Sequence, residues 1–297
     1  MSPKLTDSTP AKRTFKASTA RIAYAEWGRR GDPVVFLIHA TGFHGRCWDE
    51  VVRALPPGQN VIAVDLRGHG RSEKTGPIND WSEPARDIAE LVEHLKLDGA
   101  IGAGHSMGGH ILVQIAAENP RAFKRLLLID PVIMAPEMYK GDPFWPPGTE
   151  HPVARRRNAW SSWQEMFDAF KNRNPYSLWH PKVLEDYCRY GLMPASSGGF
   201  ELACPPAVEA SIYMGSLGTD IYEAVRKLTQ PVTILRAKER PAGPRERMDF
   251  SDSPTWPQLA TAFAHARDIY LKELTHFIPM QDPALVARLI ADADATP

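Results

Sequence analysis

The sequence predicts an α/β fold, a doubly wound and mostly parallel sheet with a helical lid inserted late in the chain. Three observations carry that expectation. Short, almost continuously apolar runs recur along the chain, the pattern of parallel strands covered on both faces. Segments of helical periodicity alternate with them. The alternation breaks over residues 132–228, a stretch rich in Pro, Trp, Tyr and Arg, and then resumes. At 297 residues the chain is also long for a single core without an insertion.

In chain order, residues 1–17 read as a flexible leader. Arg21 to Trp27 alternates in the manner of an edge strand and ends at the turn of residues 28–32. Pro33 to His39 is the first buried strand, followed by Ala40-Thr41-Gly42-Phe43-His44-Gly45. Asn60 to Asp65 is the second and runs into Leu66-Arg67-Gly68-His69-Gly70-Arg71-Ser72. Trp81 to Leu95 has helical spacing, and Gly99 to Gly104 is the next strand. Ile111, Leu112, Ile115 and Ala116 set a helix that stops at Asn119-Pro120, and Arg125 to Pro131 forms a further strand. Right-handed crossovers between such strands put reactive groups beyond their carboxyl ends. Inside the lid, Trp160 to Lys171 and Pro181 to Tyr190 read as helices, and no stretch reads as a buried strand. Pro231 to Arg236 and Arg267 to Leu271 resume the sheet. Asp282-Pro283, a cap residue and a first-turn proline, opens a last helix to about Ala293. The core is expected at 18–131 and 229–297, the lid at 132–228.

Composition narrows the function classes. Lys plus Arg and Asp plus Glu number 35 each, so no global field holds nucleic acid or an anionic membrane. A small-molecule substrate is the expected partner, and the oligomeric state is left open. The first nineteen residues contain no apolar run suited to a signal or a membrane span, so a cytoplasmic location is expected. Cys47, Cys188 and Cys204 are an odd number at wide spacing, and no Cys-x-x-Cys or His-rich cluster is present. They are expected as reduced thiols, with no metal and no other cofactor.

The chemistry concentrates at Gly104-His105-Ser106-Met107-Gly108-Gly109, a serine between glycines at a strand-to-helix corner. In a nucleophile elbow the positions two before and two after the serine must lack side chains, so that strand and helix can approach. Gly-x-Ser-x-Gly arises by chance in roughly one chain in ten of this length, so the flanking strand and helix are what give it weight.

Taken together, Leu37 to Gly42, Asp65 to Ser72, Gly104 to Gly109 and His276-Phe277-Ile278-Pro279 resemble the α/β-hydrolase superfamily with a helical cap, over about residues 20–293. The resemblance implies an α/β-hydrolase fold and leaves reaction and substrate open. It implies Ser106 as nucleophile and His276 as its base, since a serine hydroxyl needs a base in reach and a third group to orient that base. His39, His69 and His105 each have a structural place at a strand end, a turn and the variable position of the elbow. The oxyanion donors are expected at the N–H groups of Met107 and Thr41. Ala40 stands where relatives commonly have glycine. For the acid, many relatives use the turn after the strand that here is Val232 to Arg236, where Glu239 is the local carboxylate. Others, such as haloalkane dehalogenases, use the strand end that here is Asp130. Asp130 is favoured, with Glu239, Asp249 and Asp252 as alternatives.

Phe43, His44 and Trp48 are expected to line the acyl side, with Trp145, Trp160, Trp163 and Trp179 offered by the lid, although ordinary lid core explains any one tryptophan as well. Arg155-Arg156-Arg157 reads as a solvated helix face. The function expected is a cofactor-independent serine hydrolase acting on a carboxylic ester, lactone or thioester of a small to medium, largely apolar acyl compound. Serine at 106 argues against the aspartate-dependent dehalogenase and epoxide-hydrolase variants. A carbon–carbon bond hydrolase on the same triad and a non-catalytic ligand-binding protein are the alternatives.

Overall fold

The computed structural model describes residues 9–141, 145, 148–240, 250–292 and 294. The main sheet is built from β1 (Ala11–Lys16), β2 (Arg21–Trp27), β3 (Val34–Ile38), β4 (Asn60–Asp65), β5 (Ala100–His105), β6 (Phe123–Ile129), β10 (Val232–Ala237) and β11 (Ala266–Leu271). Between and after these strands come the helices α1 (Asp49–Ala54), α2 (Ser82–His94), α3 (Met107–Glu118), α8 (Ile278–Gln281) and α9 (Pro283–Ala291). Residues 132–228 carry α4 (Trp163–Phe170), α5 (Pro181–Tyr190), α6 (Pro206–Met214) and α7 (Tyr222–Lys227). They also carry three short strands, β7 (Ala159–Trp160), β8 (Leu192–Pro194) and β9 (Phe200–Leu202).

The eight strands lie in the order β1-β2-β4-β3-β5-β6-β10-β11. From β4 to β11 all pairs are parallel, whereas β1 and β2 are antiparallel to their neighbours. Successive side chains on a strand go to opposite faces. Phe36 and Ile38 therefore join a core under α2, α3 and α7, while Val35 and Leu37 join a second core under α1 and α9. This two-sided burial is why the central strands read as unbroken apolar runs. Asp282 caps α9, its side chain accepting from the Leu285 N–H at 2.8 Å.

Four expectations need correction. The leader is not flexible throughout, because residues 11–16 pair with Arg21–Trp27 as β1. That strand is exposed and carries Lys12, Arg13 and Lys16, the charge that protects an edge but erases any apolar alternation. Arg21–Trp27 is consequently an interior strand rather than the edge. The lid is not purely helical, since β7, β9 and β8 form a three-stranded sheet, each too short for a period to register. Its far boundary also falls earlier than residue 228, because Tyr222, Val225 and Leu228 are buried in the core with α3.

Candidate active site

The parallel strands point their carboxyl ends at one edge of the sheet, and the site assembles there. Ser106 stands between β5 and α3 with φ 57° and ψ −121°, a backbone conformation rare for a side-chain-bearing residue and costing of order 1–3 kcal/mol. The flanking glycines make the corner possible. A Cβ on Gly104 would lie 2.4 Å from the Gly108 carbonyl oxygen, and one on Gly108 would lie 2.4 Å from the Ile38 carbonyl oxygen.

His276 follows β11, and its Nε2 lies 3.0 Å from Ser106 Oγ. On its other side Nδ1 lies 2.6 Å from Asp130 Oδ2. A carboxylate there fixes the proton on Nδ1 and leaves Nε2 free to accept from the serine hydroxyl. Asp130 terminates β6, is fully buried, and adopts φ 43°. Its Oδ1 accepts from the Ala237 N–H (3.0 Å) and Ser253 Oγ (2.6 Å), and Thr255 Oγ1, which donates to the Pro131 carbonyl at 2.7 Å, lies 3.2 Å away. Ser253 and Thr255 are site residues that sequence reasoning missed, since nothing in a loop of Ser, Asp, Pro and Thr singles them out. Glu239 instead pairs with Arg236 at 3.1 Å and is half exposed. Asp252 lies 3.5 Å from Lys238 Nζ. Asp249 lies outside the described residues.

The loop after β3 faces the elbow, with Thr41 Oγ1 3.5 Å from Met107 Sδ. Met107, as the first residue of α3, has no intrahelical acceptor for its N–H. Among the described residues neither that group nor the Thr41 N–H is engaged elsewhere. Three histidines brace the surroundings. The Gly42 N–H donates to His69 Nε2 at 3.0 Å, the Leu66 N–H donates to His39 Nε2 at 3.0 Å, and His105 Nε2 donates to the His276 carbonyl at 2.8 Å.

Burial lowers the pKa of His39, His69 and His105, so these rings stay neutral. It lowers His44 and His110 from 6.5 to about 4. The folded chain thus holds fewer protons than the unfolded chain once the pH drops below the unfolded value, and stability is lost from there down toward the folded values. Near pH 5 the loss is on the order of 2 kcal/mol for each of His44 and His110. The melting temperature is expected to fall steadily between neutral pH and about pH 5. A flat profile over that range would show that these rings are not buried neutral.

The remaining expected residues divide sharply. The Phe43 ring lies 6.1 Å from His105, 5.6 Å from Trp179, 5.2 Å from Tyr187 and 6.2 Å from Phe277, next door to His276. His44 Nε2 donates to the Tyr187 carbonyl at 3.1 Å. Trp48 does not line the site. The short 3₁₀ turn Gly45–Trp48 carries it to the core on the α1 and α9 side of the sheet, where it is 1% exposed. Trp160 is buried in the lid core against Phe170 and Arg157. Trp163 carries the Arg189 guanidinium 5.0 Å from its ring centroid, and Trp145 packs on His151 at 4.6 Å. None of these three is in ring contact with His276 or Phe43. Of the four expected lid tryptophans Trp179 alone is in ring contact with Phe43, and Tyr187 and Phe277 join it as aromatic neighbours of the site.

Nor is 155–157 a solvated helix face. Arg155 does pair at the surface with Glu150 at 2.7 Å, and Arg157 pairs with Glu165. Arg156, however, turns inward to Glu209. The three cysteines are buried and unpaired with one another, and no group of three metal-capable side chains occurs among the described residues. No helix there is long and apolar enough to cross a membrane.

A sequence profile described as the Alpha/beta hydrolase family matches residues 34–289. A bifunctional esterase/perhydrolase of Acinetobacter calcoaceticus is 29% identical over 243 residues, 76% of this chain and 80% of that protein. A non-heme chloroperoxidase of Streptomyces lividans is 39% identical over 124 residues, 41% of this chain and 44% of the relative. Among solved structures, E-2-(acetamidomethylene)succinate hydrolase superposes with a TM-score of 0.77 at 20% identity, covering 97% of this chain and all (100%) of that one. That likeness speaks to the fold alone.

Proposed function

The chain belongs to the alpha/beta hydrolase family, and from that premise we propose that it is a cofactor-independent serine hydrolase cleaving a carboxylic ester, lactone or thioester through an acyl-enzyme. The observation that carries this reading is the continuous contact from Ser106 Oγ through the His276 ring to Asp130. Ser106 Oγ attacks the substrate carbonyl carbon while His276 Nε2 takes its proton, and buried Asp130 stabilises the resulting imidazolium. The Thr41 and Met107 N–H groups receive the oxyanion, each such donor contributing about 3 kcal/mol. Collapse expels the alcohol or thiol, which leaves with the proton from His276 (for a lactone it stays tethered). Water deprotonated by the same Nε2 then releases the acid and restores Ser106.

The acyl group meets Phe43, Phe277, Trp179 and Tyr187, which favours a small to medium apolar compound. The Acinetobacter relative, an esterase as well as a perhydrolase, lends support to ester cleavage. A fluorophosphonate probe is expected to label the wild-type chain and not Ser106→Ala, and short nitrophenyl esters are expected to turn over. Well-folded protein that shows neither labelling nor turnover would end the ester-hydrolase reading. Labelling without ester turnover, together with cleavage of a diketone acid, would move the reaction to a carbon–carbon bond.

A further inference from the structure

Proton relay and oxyanion donors leave a part-buried ion pair unused, and it presses on the loop that carries Thr41. Glu209, on α6, is 4% exposed, and Arg156 Nη1 lies 2.7 Å from its Oε2. A Cβ on Gly42 would sit 2.5 Å from Glu209 Oε1, so the carboxylate is packed directly on the Gly42 backbone. Gly42 is held at φ +79° and adjoins the oxyanion donor Thr41.

The helix bearing Glu209 is tied to the core as well as to the lid turn at Pro152–Arg155. The Ile78 N–H donates to Ser211 Oγ at 2.8 Å, and Trp81 Nε1 donates to the Ile212 carbonyl at 3.0 Å. Arg156 also reaches the Tyr187 hydroxyl at 3.2 Å, and Tyr187 in turn packs its ring on Phe43 and takes the His44 bond on its carbonyl. Arg156 therefore links α5 and α6 across the very loop that must present an N–H to developing negative charge.

Resting on the hydrolase reading above, we infer that Arg156 and Glu209 are positioning residues for the oxyanion loop. Glu209 fixes Gly42 sterically, and Arg156 cancels the carboxylate charge that would otherwise oppose the oxyanion one residue away. Like charges in a low-dielectric site repel over several ångströms, so an uncompensated carboxylate there raises the tetrahedral intermediate more than the bound ester. Burial raises the Glu209 pKa above the ordinary carboxylate value, and Arg156 counteracts this.

Charge cancellation gives the two single variants opposite signs, which a merely structural ion pair does not. Arg156→Met is expected to lower kcat and the rate of fluorophosphonate labelling about ten- to hundredfold, the loss deepening as the pH is raised and the unpaired carboxyl ionises, with KM for nitrophenyl acetate within about twofold. Glu209→Gln keeps the packing on Gly42 and removes the opposing charge, so both rates are expected to rise about two- to fivefold. The double variant should fall between the two. All rates are normalised to the folded fraction from a thermal melt, and Glu209→Gln alone carries the test if Arg156→Met does not fold. A tenfold fall in Glu209→Gln, a double variant no faster than Arg156→Met, or a loss confined to KM would each overturn the inference. Wild-type protein that neither labels nor turns over would instead sink the hydrolase reading itself.

Discussion

Asp130→Asn is expected to leave the fold intact and to lower turnover by up to about 10⁴-fold, the scale known for the same change in a serine protease triad. The surroundings of Asp130 explain why the amide cannot adapt. Oδ1 accepts from two donors, the Ala237 N–H and the hydroxyl of Ser253. An asparagine must keep its carbonyl oxygen toward them, because its amide group there would face at least the Ala237 N–H with another donor. The amide NH₂ is then turned toward His276 Nδ1, which can only accept from it. The ring's proton is forced onto Nε2, where it faces Ser106 and cannot take the hydroxyl proton. Glu239→Gln is the control. Glu239 is half exposed and bonded to Arg236, which keeps Asp268 at 2.8 and 2.9 Å, so turnover is expected to stay within about twofold. Steady-state turnover of both variants at matched folded concentration decides the matter, and a normal Asp130→Asn beside a crippled Glu239→Gln would reverse the assignment.

Features written in the backbone were legible from the sequence. Apolar runs located the parallel strands, and the glycines at 104 and 108 located the corner, because both are local demands of chain geometry. What depended on distant partners was not. Asp130 could be seen at a strand end, but its choice over Glu239 turns on which loop meets His276, 146 residues away. Trp48 sits three residues from the oxyanion loop in sequence, yet one turn of 3₁₀ helix sends it beneath the sheet. Arg156 looked like one of three surface charges because its partner Glu209 lies 53 residues on. Apart from Phe15, β1 offers only charged and small residues at an exposed edge, where the pairing is made by backbone groups that carry no side-chain signal.

Gly108→Ala is expected to abolish activity by at least about 10²-fold and to destabilise the fold by about 3 kcal/mol, near the upper end of ordinary overpacking. The new methyl carbon would lie 2.4 Å from the Ile38 carbonyl oxygen and 2.6 Å from that of His39. Both atoms are backbone, so no rotamer change relieves the contact, and α3 must move away from β3. That motion separates the two halves of the oxyanion hole, since Met107 rides on α3 and Thr41 follows β3. A displacement near 1 Å at such a site costs about a hundredfold in rate. Gly104→Ala meets the Gly108 carbonyl oxygen at 2.4 Å and should behave alike. Gly76→Ala, with no atom within 4 Å of the added carbon, is the matched control and is expected to be neutral to slightly stabilising. Thermal melts with nitrophenyl acetate turnover on the three variants read both effects at once. Normal turnover in Gly108→Ala would mean that strand and helix stand further apart than this geometry requires, and that the glycine is not what forms the corner.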